Sequence, residues 1–306
     1  MTPTQLARLA MVLGALLLVW GAASLARRGS RGPSESDRFL IPAVSRDSVD
    51  SVVIVRPADT VALARRDSAW TVNGHRAAGS AVQDLFAALA DSSRRSELVG
   101  ARSASHGGFG VDGAKGSRIR LVRGDSTLAD LIQGNRGPGL GGGYFRFADD
   151  SAVYLVGGDL AQALERSSDE WRDRRIAAAM PDSVARIEVT RGRRSWIARR
   201  DSSAWTLVPG GQADSAAVAQ LLAAYREVDA AGFASAAQAD SARFDRPERR
   251  AGLYRDDGSP IMTLAFDSSA TGFWVRAGGD STVYRLDTWS ADRLTPPDST
   301  LTSASR

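Results

Sequence analysis

The sequence predicts an α+β fold made by tandem duplication of one module with antiparallel strands and an amphipathic helix, preceded by one N-terminal transmembrane helix. Three observations carry that expectation. The strand Ala69-Trp70-Thr71-Val72 recurs 135 residues later as Ala204-Trp205-Thr206-Leu207, and the same shift carries Ser48-Val49 onto Ser183-Val184. At a shift of 130, Arg146, Ser151 and Val153-Tyr154 meet Arg276, Ser281 and Val283-Tyr284. Finally, every residue from Leu9 to Leu25 is apolar or small. Two units in one order, differing by loop insertions, mark a repeated module.

In the first unit, Val52-Val53-Ile54-Val55, Thr60-Val61-Ala62-Leu63 and the Trp70 run are short and bounded by turn residues, which predicts a three-stranded meander. Gly79-Ser80 then introduces a helix whose Val82, Leu85, Phe86 and Leu89 fall on one face, with Ser80 as its expected cap. The second unit repeats this with Asp214 or Ser215 before Val218, Leu221, Leu222 and Tyr225. Ile119 and Leu121 alternate with arginines as in a half-buried strand. The runs 144–147 and 152–155 predict a hairpin, matched by 273–276 and 282–286. A short helix from Asp159 to Glu165 closes the first unit, and residues 171–176 link the two.

The resulting division is an anchor over 1–28, a flexible tether over 29–38, repeat 1 over 39–176, repeat 2 over 177–295 and a frayed tail over 296–306. The apolar run of 17 residues meets the short limit for a spanning helix, about 17 residues. Ser24-Leu25-Ala26 also offers a small-x-small cleavage site. The run exceeds the usual signal core and Arg27 follows directly, which favours an uncleaved anchor. Arg27, Arg28 and Arg31 would hold the C-terminal flank inside, yet large domains cross largely regardless of nearby charge. The expectation is therefore an inner-membrane, single-pass protein with its amino terminus in the cytoplasm and its bulk outside.

Composition excludes several chemistries. The 306 residues carry a formal charge of only +4, with arginines interleaved among Asp and Ser, so no nucleic-acid stripe forms. There is no cysteine, hence no disulfide, thiolate metal site or thiol nucleophile. His75 and His106 lack a second histidine at ligand spacing. The glycine-rich run 134–143 lacks a Gly-Lys-Ser/Thr ending and leads into a strand, so it reads as a hairpin loop and a contact surface, not a phosphate cradle. Trp70 and Trp205 read as core anchors. No catalytic, cofactor-binding or metal residue is assigned, and no cofactor is expected. The candidate partner contacts are Arg136, Gly137, Gly139 and Gly141 in the glycine-rich run, with the repeat-equivalent Arg146 and Arg276; for these two arginines an outward position on a two-faced sheet is the simpler reading.

The order of these signals resembles the domain-of-unknown-function 4340 family. The matching pieces are residues 67–72, the Val82-Leu85-Leu89 helix, Phe109-Gly110-Val111-Asp112, the Val153-Tyr154 hairpin and the 171–176 link, restated from Ile187 to Leu294 with Phe244-Asp245-Arg246-Pro247 in place of the Phe109 segment. That second segment lacks the glycine. The resemblance implies a membrane-anchored protein linked to ABC-type transport or gliding-motility-like systems, with permease and ATPase subunits as partners. It supplies no catalytic residue. The expected function is a non-catalytic accessory protein acting by protein–protein binding; the alternatives are a cell-envelope hydrolase, or a glycan- or peptide-binding scaffold.

Overall fold

The computed structural model describes residues 39–42, 44–138, 141–202 and 204–302. The expected anchor (1–28), the tether (29–38) and Gly139 lie outside the described residues. Among those described, no helix is long and apolar enough to cross a membrane. The chain forms two compact units that divide between Trp171 and Arg172.

Unit 1 is a nine-stranded antiparallel sheet with short helices. Its strands are β1 (Ser51–Val55), β2 (Thr60–Arg66), β3 (Ala69–Val72), β4 (His75–Arg76), β5 (Ser96–Gly100), β6 (Ser117–Arg123), β7 (Ser126–Arg136), β8 (Gly143–Phe147) and β9 (Val153–Val156). They lie side by side in the order β4-β3-β2-β1-β6-β7-β8-β9-β5. Helix α1 (Gly79–Ala90) precedes β5, α2 (His106–Phe109) follows it, and α3 (Leu160–Glu165) and α4 (Ser168–Trp171) close the unit. Alternation along the strands buries Val52, Ile54, Val61, Leu63, Trp70 and Val72, and the α1 stripe of Val82, Leu85, Phe86 and Leu89 packs into the same core.

Unit 2 repeats this plan. Its main sheet runs β14-β13-β12-β11-β17-β18-β19-β20-β16, with β11 (Arg186–Arg191), β12 (Arg194–Asp201), β13 (Ala204–Val208), β14 (Gly211–Gln212), β16 (Gly232–Phe233), β17 (Arg249–Tyr254), β18 (Pro260–Ser269), β19 (Gly272–Ala277) and β20 (Tyr284–Leu286). Every neighbour in this order has a counterpart at the same place in unit 1. Helices α5 (Ser215–Tyr225), α6 (Ala236–Ser241) and α7 (Thr288–Leu294) take the places of α1, α2 and α3. A separate two-stranded pair joins β10 (Arg175–Ala177) to β15 (Val228–Asp229). Trp205 and the α5 stripe Val218, Leu221, Leu222 and Tyr225 are core residues, as their pattern predicts.

Two expectations need correction. Ser80 is not the α1 cap: the helix begins at Gly79, Ala78 is its N-cap, and no side chain caps it. In unit 2 the carboxylate of Asp214 does cap α5, accepting from the N–H groups of Ala216 and Ala217 at 2.8 and 3.1 Å. Ala78 and Asp214 share one backbone conformation, φ −65° ψ 120° against φ −70° ψ 113°. Ala78→Asp is therefore expected to stabilise unit 1 by about 1 kcal/mol, read as a higher urea midpoint at unchanged slope.

Both ends of the 171–176 link are core residues of their own units. Trp171 is fully buried in unit 1, and Ile176 belongs to the core of unit 2. The tail is likewise held as far as Thr302. Leu301 is buried, its carbonyl accepts from Asp214 N–H at 2.8 Å, Thr302 bridges to Ala213, and Pro296 O accepts from Trp196 Nε1 at 2.9 Å.

One arginine per unit ties the closing helix to the sheet. Arg56, just past β1, donates to the carbonyl of Leu164 at the end of α3 at 2.8 Å. Its counterpart Arg191, at the end of β11, donates to Thr295 O beyond α7 at 3.3 Å and to Asp292 at 2.9 Å. Cations at a helix C-terminus satisfy orphan carbonyls and oppose the helix dipole.

The other end of α7 is capped by Asp287, whose carboxylate accepts from Ser290 N–H and Ser290 Oγ, both at 2.8 Å. These bonds from the Ser290 backbone and hydroxyl hold the Asp287 carboxyl below the usual carboxylate range. A depressed folded pKa contributes stability that is present above the unfolded value, near 4, and is lost as pH falls through the folded one. Asp287→Ala is thus expected to cost about 1 kcal/mol at neutral pH. The gap from wild type should close as a urea titration series is taken below pH about 4.

Candidate partner-binding groove

A groove of about 960 Å³ opens in unit 1. Its floor is apolar, from Phe39, Val44, Leu89, Leu155 and Val156, and its rim is polar, including Asp91, Ser93, Arg94, Arg95 and Glu97. Four stretches meet there: the chain entering at Phe39, the connection from α1 to β5, the end of β9, and Pro138 with Gly141 of the glycine-rich β7–β8 loop. Each is positioned by something rigid. Phe39 packs against Phe145, Phe147 and Tyr154 with ring centroids 4.9 to 5.7 Å apart, and its N–H donates to Ser96 Oγ at 3.0 Å.

The α1–β5 connection is fixed by its own side chains. The Asp91 carboxylate accepts from Ser93 N–H at 2.9 Å and from the Ser93 hydroxyl at 2.6 Å, and these bonds hold its carboxyl below the usual range. The Arg94 guanidinium donates to the carbonyls of Ala88, Leu89 and Asp91 at 2.7 to 3.1 Å, closing the C-terminal end of α1. Burial lowers the Arg94 pKa from its ordinary value, and nearby Asp91 opposes that shift; no described carboxylate forms an ion pair with Arg94.

Of the six sequence-derived contacts, Gly139 lies outside the described residues, and the structure distributes the other five unevenly. Gly141 borders the groove, with φ +92°, a conformation natural to glycine. Gly137 closes the same loop through its N–H on Gly142 O at 3.2 Å, and a Cβ there would meet Leu155 Cδ1 at 2.5 Å. Arg136 is in β7, where its Nε donates to Glu165 at 2.8 Å.

Arg146 and Arg276 serve the fold. Arg146 donates to the carbonyls of Val111, Phe147, Ala148 and Asp150, pinning the β8–β9 turn against the segment after α2. Burial lowers the Arg146 pKa from its ordinary value. Arg276 lies 4.5 Å from the ring centroid of Phe244. The repeat-equivalent arginines thus hold repeat-equivalent segments, although the turns differ. Gly110 has φ +70° with Asn135 against it, whereas Asp245 in unit 2 has no positive φ.

The histidines are structural or exposed. His106 Nε2 is 2.9 Å from Ser151 O, and His75 is exposed on β4. Among the described residues no cluster of His, Asp and Glu could hold a metal ion. The groove itself escaped the sequence reading; only the longer glycine-rich loop of unit 1 signalled it. Its counterpart in unit 2 is a short turn between Ser269 and Gly272.

Comparison with known proteins gives one result on the family. No curated protein and no solved structure matches the chain. The model of a domain of unknown function, DUF4340, matches residues 70–247, more than half of the chain, from the first repeated tryptophan to the Phe244-Asp245-Arg246-Pro247 segment of unit 2. With that span resting on the strands, helix stripes and turns described above, the chain belongs to the DUF4340 family.

Proposed function

We propose that the protein is a non-catalytic accessory subunit of an ABC-type transport or gliding-motility-like envelope complex, anchored in the inner membrane by residues 9–25 and acting by protein–protein binding outside the cytoplasm. The observation that supports this reading most is the groove of unit 1, walled by Phe39 and so lying at the point where the chain arrives from its N-terminal apolar run. A partner held in the same membrane would meet this face of unit 1 within reach of the tether, whose ten residues span at most about 35 Å. Mixed apolar and polar lining suits contact with another protein.

In-cell crosslinking, detergent extraction and recovery through a C-terminal tag should return a permease and its ATPase. Protease added outside the inner membrane should digest units 1 and 2. Recovery of the protein alone, or protection of both units, would sink the reading.

A further inference from the structure

The two units differ where the chain enters each module. In unit 2, β10 lies antiparallel to β15, with Arg175 opposite Asp229 and Ala177 opposite Val228. Ala230 N–H donates to Arg174 O at 2.8 Å, and the Arg175 guanidinium pairs with Glu227 and Asp229. The 135-residue shift places Leu40, Ile41 and Pro42 at the β10 positions and Ser93-Arg94 at those of β15. Among the described residues those two stretches of unit 1 form no strand pair.

The residues explain why. Pro42 stands where Ala177 does and has no N–H to give to a ladder. Leu40, 60 % exposed, stands where Arg175 does and has no charge to pair. The receiving side has changed too, Glu227 and Asp229 becoming Ser92 and Arg94. Arg95 N–H, the counterpart of Ala230 N–H, has no acceptor among the described residues. Leu40 and Ile41 of the one stretch and Ser93 and Arg94 of the other all line the groove.

We propose that this groove takes an extended segment of a partner protein, laid antiparallel along Ser93–Arg95 in the place that β10 takes in unit 2. Strand addition of this kind draws affinity from main-chain hydrogen bonds and specificity from alternate side chains. The local exchange of Glu227 and Asp229 for Ser92 and Arg94 sets the chemistry at that position. Arg94, held by carbonyls, and Arg95 beside it call for an acidic residue where β10 carries Arg175. Asp91 and Glu97 also border the groove and keep their charge, but they lie outside the Ser92–Arg95 stretch that matches β15 and its flanks, where the sign has reversed. The neighbouring residue of the partner is apolar, covering Leu40 and the floor of Phe39, Val44 and Leu89.

This rests on the binding reading above but not on the identity of the complex, and the test uses only purified full-length protein in detergent. The probes are two synthetic nonapeptides with the sequence of residues 172–180, both carrying Ala177→Cys and one carrying Arg175→Glu as well. Because the chain has no cysteine, Ser93→Cys and a distant control, Ser126→Cys, each present a single thiol. Disulfide trapping is expected at Ser93→Cys well above the control. The Arg175→Glu peptide should be favoured about fivefold, as one exposed ion pair allows.

Adding Pro42→Ala restores the missing N–H, lets the chain's own segment pair, and should reduce trapping at Ser93→Cys. Equal trapping at both thiols, preference for the arginine peptide, or trapping that follows detergent concentration and not peptide sequence would overturn the proposal. A lost transport subunit in cells leaves this result untouched, so the two readings fail separately.

Discussion

Replacing Trp171 with alanine is expected to destabilise unit 1 by about 3–5 kcal/mol, the range for deleting a large buried aromatic. The side chain is fully buried, among the largest of the core residues in that state. Its main chain has a separate task, since Ala78 N–H donates to Trp171 O at 2.8 Å at the start of α1. That bond survives substitution, so the loss measures the cavity and the vacated contacts with the core. The Arg166 guanidinium, 5.5 Å from the ring centroid, would also lose its aromatic face. Trp171 Nε1 has no hydrogen-bond partner within the described residues. Trp171→Phe removes that orphan donor along with part of the ring and should cost well under half as much. Urea titration followed by circular dichroism separates the cases; equal losses for the two variants would refute the cavity account.

Asp292→Ala is expected to cost unit 2 about 2 kcal/mol, between the values for exposed and for buried ion pairs, since Glu248 stays 4.0 Å from Arg249. One carboxylate oxygen receives two guanidinium groups, from Arg249 at 2.6 Å and Arg191 at 2.9 Å. Arg249 is the decisive partner, because its side chain is only 7 % exposed. It also donates to Thr295 Oγ1 at 3.0 Å and lies 4.2 Å from the Phe273 ring centroid. Asp292 itself is 45 % exposed, which keeps the figure low. The damage comes from the charge left behind, so Arg249→Met in the Asp292→Ala background should recover much of the loss. A double variant as unstable as the sum of the singles would show that the pair is not coupled.

The elements that could be read in the sequence are those whose periodicity is set by one neighbour. Trp70 and Trp205, the α1 and α5 stripes and the β8–β9 and β19–β20 hairpins all show their buried faces along a few consecutive residues. The 11-residue β7 was hidden because it shifts register opposite both β6 and β8 and ends in Gly134-Asn135-Arg136, which reads as loop. Strand β5 was hidden because its partner is β9, far along the chain. The glycine-rich stretch was visible as a loop, and Gly141 borders the groove. Arg146 and Arg276 stood out as repeat-equivalent charges, but a strand pattern cannot tell a guanidinium facing solvent from one turned back onto carbonyls. The rest of the groove depends on how Pro42 and Arg94 depart from Ala177 and Asp229, and those positions carry no signal until β10 and β15 are seen to pair.

The strand order also sets a timetable for synthesis. Strand β5 is complete at Gly100, yet the residues it pairs with begin at Val153. At ordinary translation rates that gap lasts roughly 3–10 s, during which a nascent edge carrying Leu98 and Val99 waits for its mate. Unit 2 faces a similar delay, from Phe233 to Tyr284, but exposes only two residues, Gly232 and Phe233, while it lasts. The first module to emerge from the ribosome therefore carries the longer unprotected ribbon, and Glu97 within it supplies the charge that discourages a neighbouring nascent chain from pairing there first.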